Sequence, residues 1–167
     1  FGLSEYNAEV VTSSRKLADY FEETVKHHDD ATAVSNWIMG ELLGYLNVTG
    51  QELSGCRVSP GALAELLDMI KSGQVSQNIG KEVFTEMCDS GARAADIVAV
   101  KGLTQISDES ELDTLADKVI EANPAQVEQY RAGKDKVIGF FVGQIMKETK
   151  GRANPQVVNE ILKKKLA

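Results

Sequence analysis

The sequence is poor in the residues that most often carry chemistry. Among 167 residues there are two histidines, two cysteines, three prolines and one tryptophan. His27 and His28 are adjacent, so on a helix they point in different directions. At the acidic helix end where they stand, a histidine serves as a favourable C-terminal charge. Cys56 and Cys88 lie far apart, form no C-x-x-C pair and have no histidine nearby. That spacing excludes the common zinc motifs and reads as two separate structural thiols. No Gly-rich phosphate loop, H-E-x-x-H helix or dinucleotide fingerprint is present. Long hydrophobic runs are missing too: the most apolar stretch, Val137 to Met146, contains Gln144 and falls short of the roughly 20 residues a membrane helix needs. Ser4, Glu5, Asn7 and Glu9 interrupt any signal-like run near the start, which leaves the glycosylation pattern Asn47-Val48-Thr49 without meaning. These absences predict no catalytic residue, no metal site, no membrane span and a cytoplasmic location. A start at Phe1 rather than Met leads us to expect a fragment or a processed product.

What is present is helical periodicity throughout, with no alternating strand pattern. Thr12 is expected to cap a helix over Arg15 to about Lys26, with Leu17, Phe21 and Val25 on one stripe. Val34, Trp37, Ile38, Leu42, Tyr45 and Leu46 recur at spacings of three and four and mark a second core-facing helix. A Gly-, Ser- and Thr-rich loop spans Asn47 to Arg57. Ser59-Pro60 is an N-cap followed by proline at the first helical position, and Gly73 a left-handed terminator. Further helices follow from about Ser76 to Gly91 and around Ala94 to Val100. The stretch Gly102 to Ser107 reads as a linker. Asp108 with Glu111 resembles a capping box opening the next helix, and Asn123-Pro124 starts a short one that ends at Gly133. A long helix is expected from Lys134 to about Thr149, in which Gly139 and Gly143 share a face and permit close helix packing. The final helix is capped by Asn154-Pro155, with Lys163 to Lys165 exposed. The fold class predicted is all-α: two small helical bundles joined by a short linker, over residues 1–107 and 108–167.

Charge is segregated. The chain carries a net −7, yet from Lys134 onward eight basic residues face three acidic ones, a local +5, while the preceding 133 residues hold 10 basic and 22 acidic side chains. Such asymmetry suggests that the C-terminal end meets a polyanion. Within it, Lys147, Lys150 and Arg152 precede a helix start at Asn154-Pro155, and cations beside free helix N–H groups suit a phosphate. Phe140 or Phe141 could stack on a base, although at least one belongs to a core. Gln144 could hydrogen-bond a nucleotide or face solvent.

These same residues carry a resemblance. Gly133-Lys134 and FFVGQIMKETKGRANPQVV, from Phe140 to Val158, closely resemble the tail of the B subunit of the tRNA-dependent aspartyl/glutamyl amidotransferase (GatB), a tail shared with the small YqeY-like proteins. The likeness extends to Tyr6-Asn7-Ala8, Leu17-Ala18-Asp19-Tyr20-Phe21-Glu22, Asn36-Trp37-Ile38-Met39-Gly40-Glu41-Leu42, Ile79, Lys81 to Phe84, and Gly102 to Asp108. Asn7 stands where the family commonly has Asp, and the Asn47–Arg57 loop is longer than expected.

The resemblance implies a helical cradle followed by a YqeY-like tail, together the non-catalytic tRNA-binding part of an enzyme that converts Glu-tRNA(Gln) or Asp-tRNA(Asn) to the amidated form with ATP and glutamine. It implies the A and C subunits of the amidotransferase as partners, and places ATP and Mg in a larger N-terminal domain that precedes Phe1, with no cofactor in this portion. Lys134, Lys136, Lys147, Lys150 and Arg152 are the expected phosphate contacts, with Gln144 and Asn154 beside them. Two rival readings are a protein-docking scaffold and a stand-alone YqeY-like protein; the N-terminal hundred residues are extra to the latter.

Overall fold

The computed structural model describes residues 1–166, and they are all-α. They form two compact units, residues 1–103 and the residues from 104 onward. The only extended pairing among the described residues is an isolated parallel bridge, Ile106 with Ala153.

In the first unit, α1 (Glu5–Val11) precedes α2 (Arg15–His27). Periodicity does not reveal α1, which is one two-turn segment with a single buried residue, Val11. Consequently the cap of α2 is Ser14, accepting from the Leu17 amide, whereas Thr12 closes α1. Next come α3 (Ala31–Trp37), a widened π segment (Ile38–Leu42) and α4 (Leu43–Thr49). The π segment has a physical cause. Val34, Ile38, Leu42 and Leu46 are buried in strict steps of four. On a 3.6-residue helix such a stripe drifts by roughly 40° per step, and one wider turn removes the drift.

After a loop with a single 3₁₀ turn (Leu53–Gly55), α5 (Pro60–Lys71), α6 (Gln77–Ser90) and α7 (Ala94–Lys101) complete the unit. Ser59 caps α5 as expected, Ser76 caps α6, and Gly73, Gly91 and Gly102 take the left-handed backbone that terminates their helices. Leu17, Phe21, Trp37, Leu63, Leu66, Ile79 and Phe84 form the core, each contributing about 1.5–3 kcal/mol by leaving water. Trp37 and Phe84 meet edge to face at 6.0 Å. His28 is 3% exposed and its Nδ1 lies 2.6 Å from Asp68 Oδ1, so it is a satisfied core histidine.

The second unit consists of α8 (Glu109–Ala122), α9 (Pro124–Arg131), α10 (Ile138–Glu148) and α11 (Pro155–Leu166). Leu112 and Ala116 from α8, Phe141 and Ile145 from α10, and Val158 and Leu162 from α11 close its core. Residues 104–107 belong with this unit rather than with a linker. The Ile106 amide donates to Arg152 O at 2.7 Å, and the Asn154 amide donates to Ile106 O at 2.9 Å. The helix expected from Lys134 begins instead with a 3₁₀ turn, Asp135–Val137, and becomes α10 at Ile138.

Candidate nucleic-acid interface

The buried face of α10 is set by Phe141, Ile145 and, just past its end, Thr149, at intervals of four. The opposite side is exposed and carries Gly139, Phe140, Gly143 and Lys147 at helical spacing, with half-buried Gln144 beside them; exposed Lys136 stands in the 3₁₀ turn before the helix and exposed Lys150 just past its end. Between Lys136 and Lys147 this stripe runs roughly 16 Å at about 1.5 Å per residue. Its centre is low relief. A Cβ built on Gly139 or Gly143 would meet nothing within 4 Å, so the expectation that these glycines serve helix packing is overturned: no neighbouring helix touches them. Phe140, 37% exposed, rests edge to face on Phe141 at 5.6 Å and presents part of its ring outward. Charge alone points to the lysines and not to the glycines and Phe140 that share their face. The spacing 136, 139/140, 143, 147 is the signal in the sequence that joins them.

The turn after α10 brings a second correction. Backbone amides were expected to be free for a phosphate at the start of α11, but each has a partner. Lys150, Gly151 and Arg152 amides reach back to Lys147, Met146 and Thr149 carbonyls, and the Ala153 amide donates to Thr149 Oγ1. Pro155 has no N–H. Asn154 Oδ1 accepts from Gln156 at 3.0 Å and from Val157 at the longer 3.5 Å, while Val158 donates to Asn154 O. Asn154 is thus a helix cap, with its Nδ2 toward Ser107 Oγ at 3.5 Å. Arg152, half-buried, donates from Nε to Thr149 O at 3.3 Å. Any anion here would be held by side chains.

Lys150 adopts φ 52°, the one non-glycine residue in the left-handed region among the described residues, with Gly151 beside it at φ 78°. An L-residue there costs roughly 1–2 kcal/mol, and Gly is the usual occupant. A lysine stands where the backbone favours glycine, and its side chain is exposed.

The two units treat their cations differently. All eight Lys and Arg residues of the first unit are engaged. Arg15, Lys16, Lys26, Lys71, Lys81, Arg93 and Lys101 pair with carboxylates, and Arg57 donates to Asp89 O. In the second unit Lys165 is the lysine so engaged, lying 2.8 Å from Asp113 and 2.6 Å from Asp117 of α8. The hydrogen bonds it donates to those carboxylates raise its pKa. It is therefore not exposed with Lys163 and Lys164, as the run of lysines suggested, but half-buried across α8. Lys134, Lys136, Lys147 and Lys150 are exposed and have no carboxylate partner among the described residues. Of the candidate residues, α10 and its flanks bring Lys136, Gln144, Lys147 and Lys150 together. Lys134 stands at the turn before, and Arg152 and Asn154 are occupied in the turn that follows. No cluster of three or more potential metal ligands occurs among the described residues.

A family model described as the GatB domain matches residues 19–166. The chain belongs to the GatB domain family. Over the aligned region, its GatB relatives are identical to it at about half of the positions. The aspartyl/glutamyl-tRNA(Asn/Gln) amidotransferase B subunit of Carboxydothermus hydrogenoformans is 49% identical over 167 residues, covering 100% of this chain and 35% of that protein. Those of Trichlorobacter lovleyi and Chlorobium phaeobacteroides are 50% identical over 167 and 53% identical over 165 residues, again 35% of each. The chain thus spans about a third of the length of these GatB relatives, and both of its units lie within the shared region. No helix among the described residues is long and apolar enough to cross a membrane.

Proposed function

We propose that this chain is the non-catalytic, tRNA-holding part of the B subunit of an aspartyl/glutamyl-tRNA(Asn/Gln) amidotransferase, with the exposed face of α10 as the RNA contact. The observation that carries this reading is the contrast in cation pairing. An acidic first unit engages every positive side chain it has, seven of eight with carboxylates, while the second leaves several without a carboxylate partner and groups four of them on or beside one helix. Phosphate neutralisation by lysine with counterion release supplies most sequence-independent nucleic-acid affinity. Lys136, Lys147 and Lys150 would neutralise phosphates along the stripe, and Lys134 at its edge. Gly139 and Gly143 let a sugar–phosphate backbone approach the helix closely. Gln144 supplies a neutral hydrogen-bonding group, Phe140 a partial stacking surface, and Asn154 and Arg152 hold the turn that presents Lys150. Such a surface positions RNA by its backbone rather than by reading base edges.

In this reading the carboxylate activation by ATP and Mg, and the supply of ammonia from glutamine, belong to other parts of an assembly with the A and C subunits, in the cytoplasm. Relatives matching the first unit as well as the second weigh against a stand-alone tail protein. The test is equilibrium binding of tRNA to the chain and to its Lys147→Glu/Lys150→Glu variant at one low salt concentration. We expect at least a tenfold loss, since each lost or reversed phosphate contact is worth about 1 kcal/mol or more. Unchanged binding would leave the protein-docking scaffold as the better account.

A further inference from the structure

The loop between α4 and α5 lies in the first unit, outside the RNA contact proposed above, and it is closely pinned. Tyr20 OH donates to Val58 O at 3.0 Å, and Arg57 Nη1 donates to Asp89 O at 2.5 Å. Tyr45 OH donates to Asp89 Oδ1 at 2.7 Å. All of these contacts surround one place, where the loop meets the C-terminal turn of α6. Cys56 stands there on the loop, and Cys88, next to Asp89, faces it from the helix. Cys56 is half-buried and Cys88 is 4% exposed; both are free thiols. Cys56 S–H donates to Val58 O at 3.7 Å, and Cys56 packs against the core cluster that includes Cys88. The chain's only two cysteines, 32 positions apart, are therefore neighbours, which their spacing gave no reason to expect.

The two sulfurs are not equivalent. The Cys88 S–H donated to Cys56 stabilises a Cys56 thiolate and lowers its pKa, whereas that same bond, with burial, pushes the Cys88 thiol up. Cys56 is also the more accessible. An accessible thiolate beside a second, buried thiol is the arrangement of an attacking and a resolving cysteine.

We infer that Cys56 and Cys88 form a dithiol that undergoes exchange with small-molecule disulfides such as oxidised glutathione, closing to an internal disulfide that locks the 51–59 loop onto α6. The Cys56 thiolate attacks one sulfur of the disulfide RSSR, forming a mixed disulfide and expelling RS⁻. Cys88 then gives up its proton and attacks the Cys56 sulfur, expelling the second thiolate. Two protein thiols are oxidised, and RSSR is reduced to two RSH. Because Arg57 already holds the loop to Asp89 O and Cys56 packs against the cluster that includes Cys88, closure to the roughly 2.05 Å bond calls for a local adjustment of the loop.

The experiment incubates the native 167-residue chain with excess oxidised glutathione, quenches with acid and reads intact mass before and after alkylation. The expected product is lighter by about 2 Da, carries no glutathione and resists alkylation until reduced. Cys88→Ala should keep one glutathione on Cys56, because nothing resolves it, and Cys56→Ser should acquire none. Amide exchange across residues 51–59 should slow in the oxidised form and recover on reduction. Glutathione remaining on the native chain, two thiols still alkylated after oxidation, or a disulfide-linked dimer would each overturn the assignment. The native chain alone supplies these readouts, so poor folding of either variant leaves the test intact.

Discussion

Thr149 follows the last residue of α10 and is 3% exposed. Its hydroxyl donates to Ile145 O at 2.8 Å and accepts from the Ala153 amide at 3.2 Å. Replacing it with the near-isosteric Val leaves the Ala153 N–H buried without a partner, which costs about 1–3 kcal/mol. We predict that Thr149→Val lowers the stability of the second unit by that amount, read from urea unfolding, and loosens the turn that presents Lys150. Lys165 invites the opposite experiment. Its ammonium is engaged by Asp113 and Asp117, so Lys165→Met should leave tRNA affinity nearly unchanged and lower stability only slightly, read from urea unfolding. A loss of affinity as large as that of Lys147→Glu would contradict the distinction drawn between paired and unpaired lysines. In the sequence, Lys163, Lys164 and Lys165 are indistinguishable; only the placement of α8 against α11 separates them. The same holds for Cys56 and Cys88, and for His28, whose partner Asp68 is 40 positions away.

At the scale of elements, α10 makes a claim in which stability and function have opposite signs. Glycine in an exposed helix interior costs about 0.5–1 kcal/mol relative to alanine, and neither Gly139 nor Gly143 has a neighbour that requires it. Gly139→Ala/Gly143→Ala is therefore predicted to stabilise the second unit by roughly 1–2 kcal/mol in denaturant unfolding while weakening tRNA binding by raising the floor of the stripe. A variant that is both more stable and equally tight would remove the glycines from the interface. Helix identity was largely legible, because stripes such as Leu63, Leu66, Leu67 and Ile70 and caps such as Ser59 and Asp108 are local signals. Less legible were α1, too short for periodicity to register, the π turn that corrects a drifting stripe, and the 3₁₀ turn that opens α10. The free N–H groups expected before α11 were absent for a similar reason: Asn154 and Thr149 are themselves capping groups, and a motif of cations near a helix start does not reveal whether its donors are already taken.

For the whole molecule, net charge misleads and its distribution informs. At −7 the chain resembles a poor partner for RNA. Fifteen of its acidic residues lie in the first unit, against eight cations that are all engaged there. The second unit balances ten against ten, with six of its acids on α8 and its cap. That unit can therefore offer a cationic face on α10 while α8 turns a negative one elsewhere. The charge segregation was readable from the sequence alone; which lysines are free was not, since pairing depends on tertiary neighbours.

The most direct measurement of the central claim is the salt dependence of tRNA binding by the chain. The logarithm of the association constant should fall linearly with the logarithm of salt concentration, with a slope of magnitude roughly 2–4 for three or four phosphate contacts. Lys147→Glu and Lys150→Glu should each reduce that magnitude by about 1. A slope near zero, or one that both substitutions leave unchanged, would contradict the assignment of the α10 face to the RNA backbone.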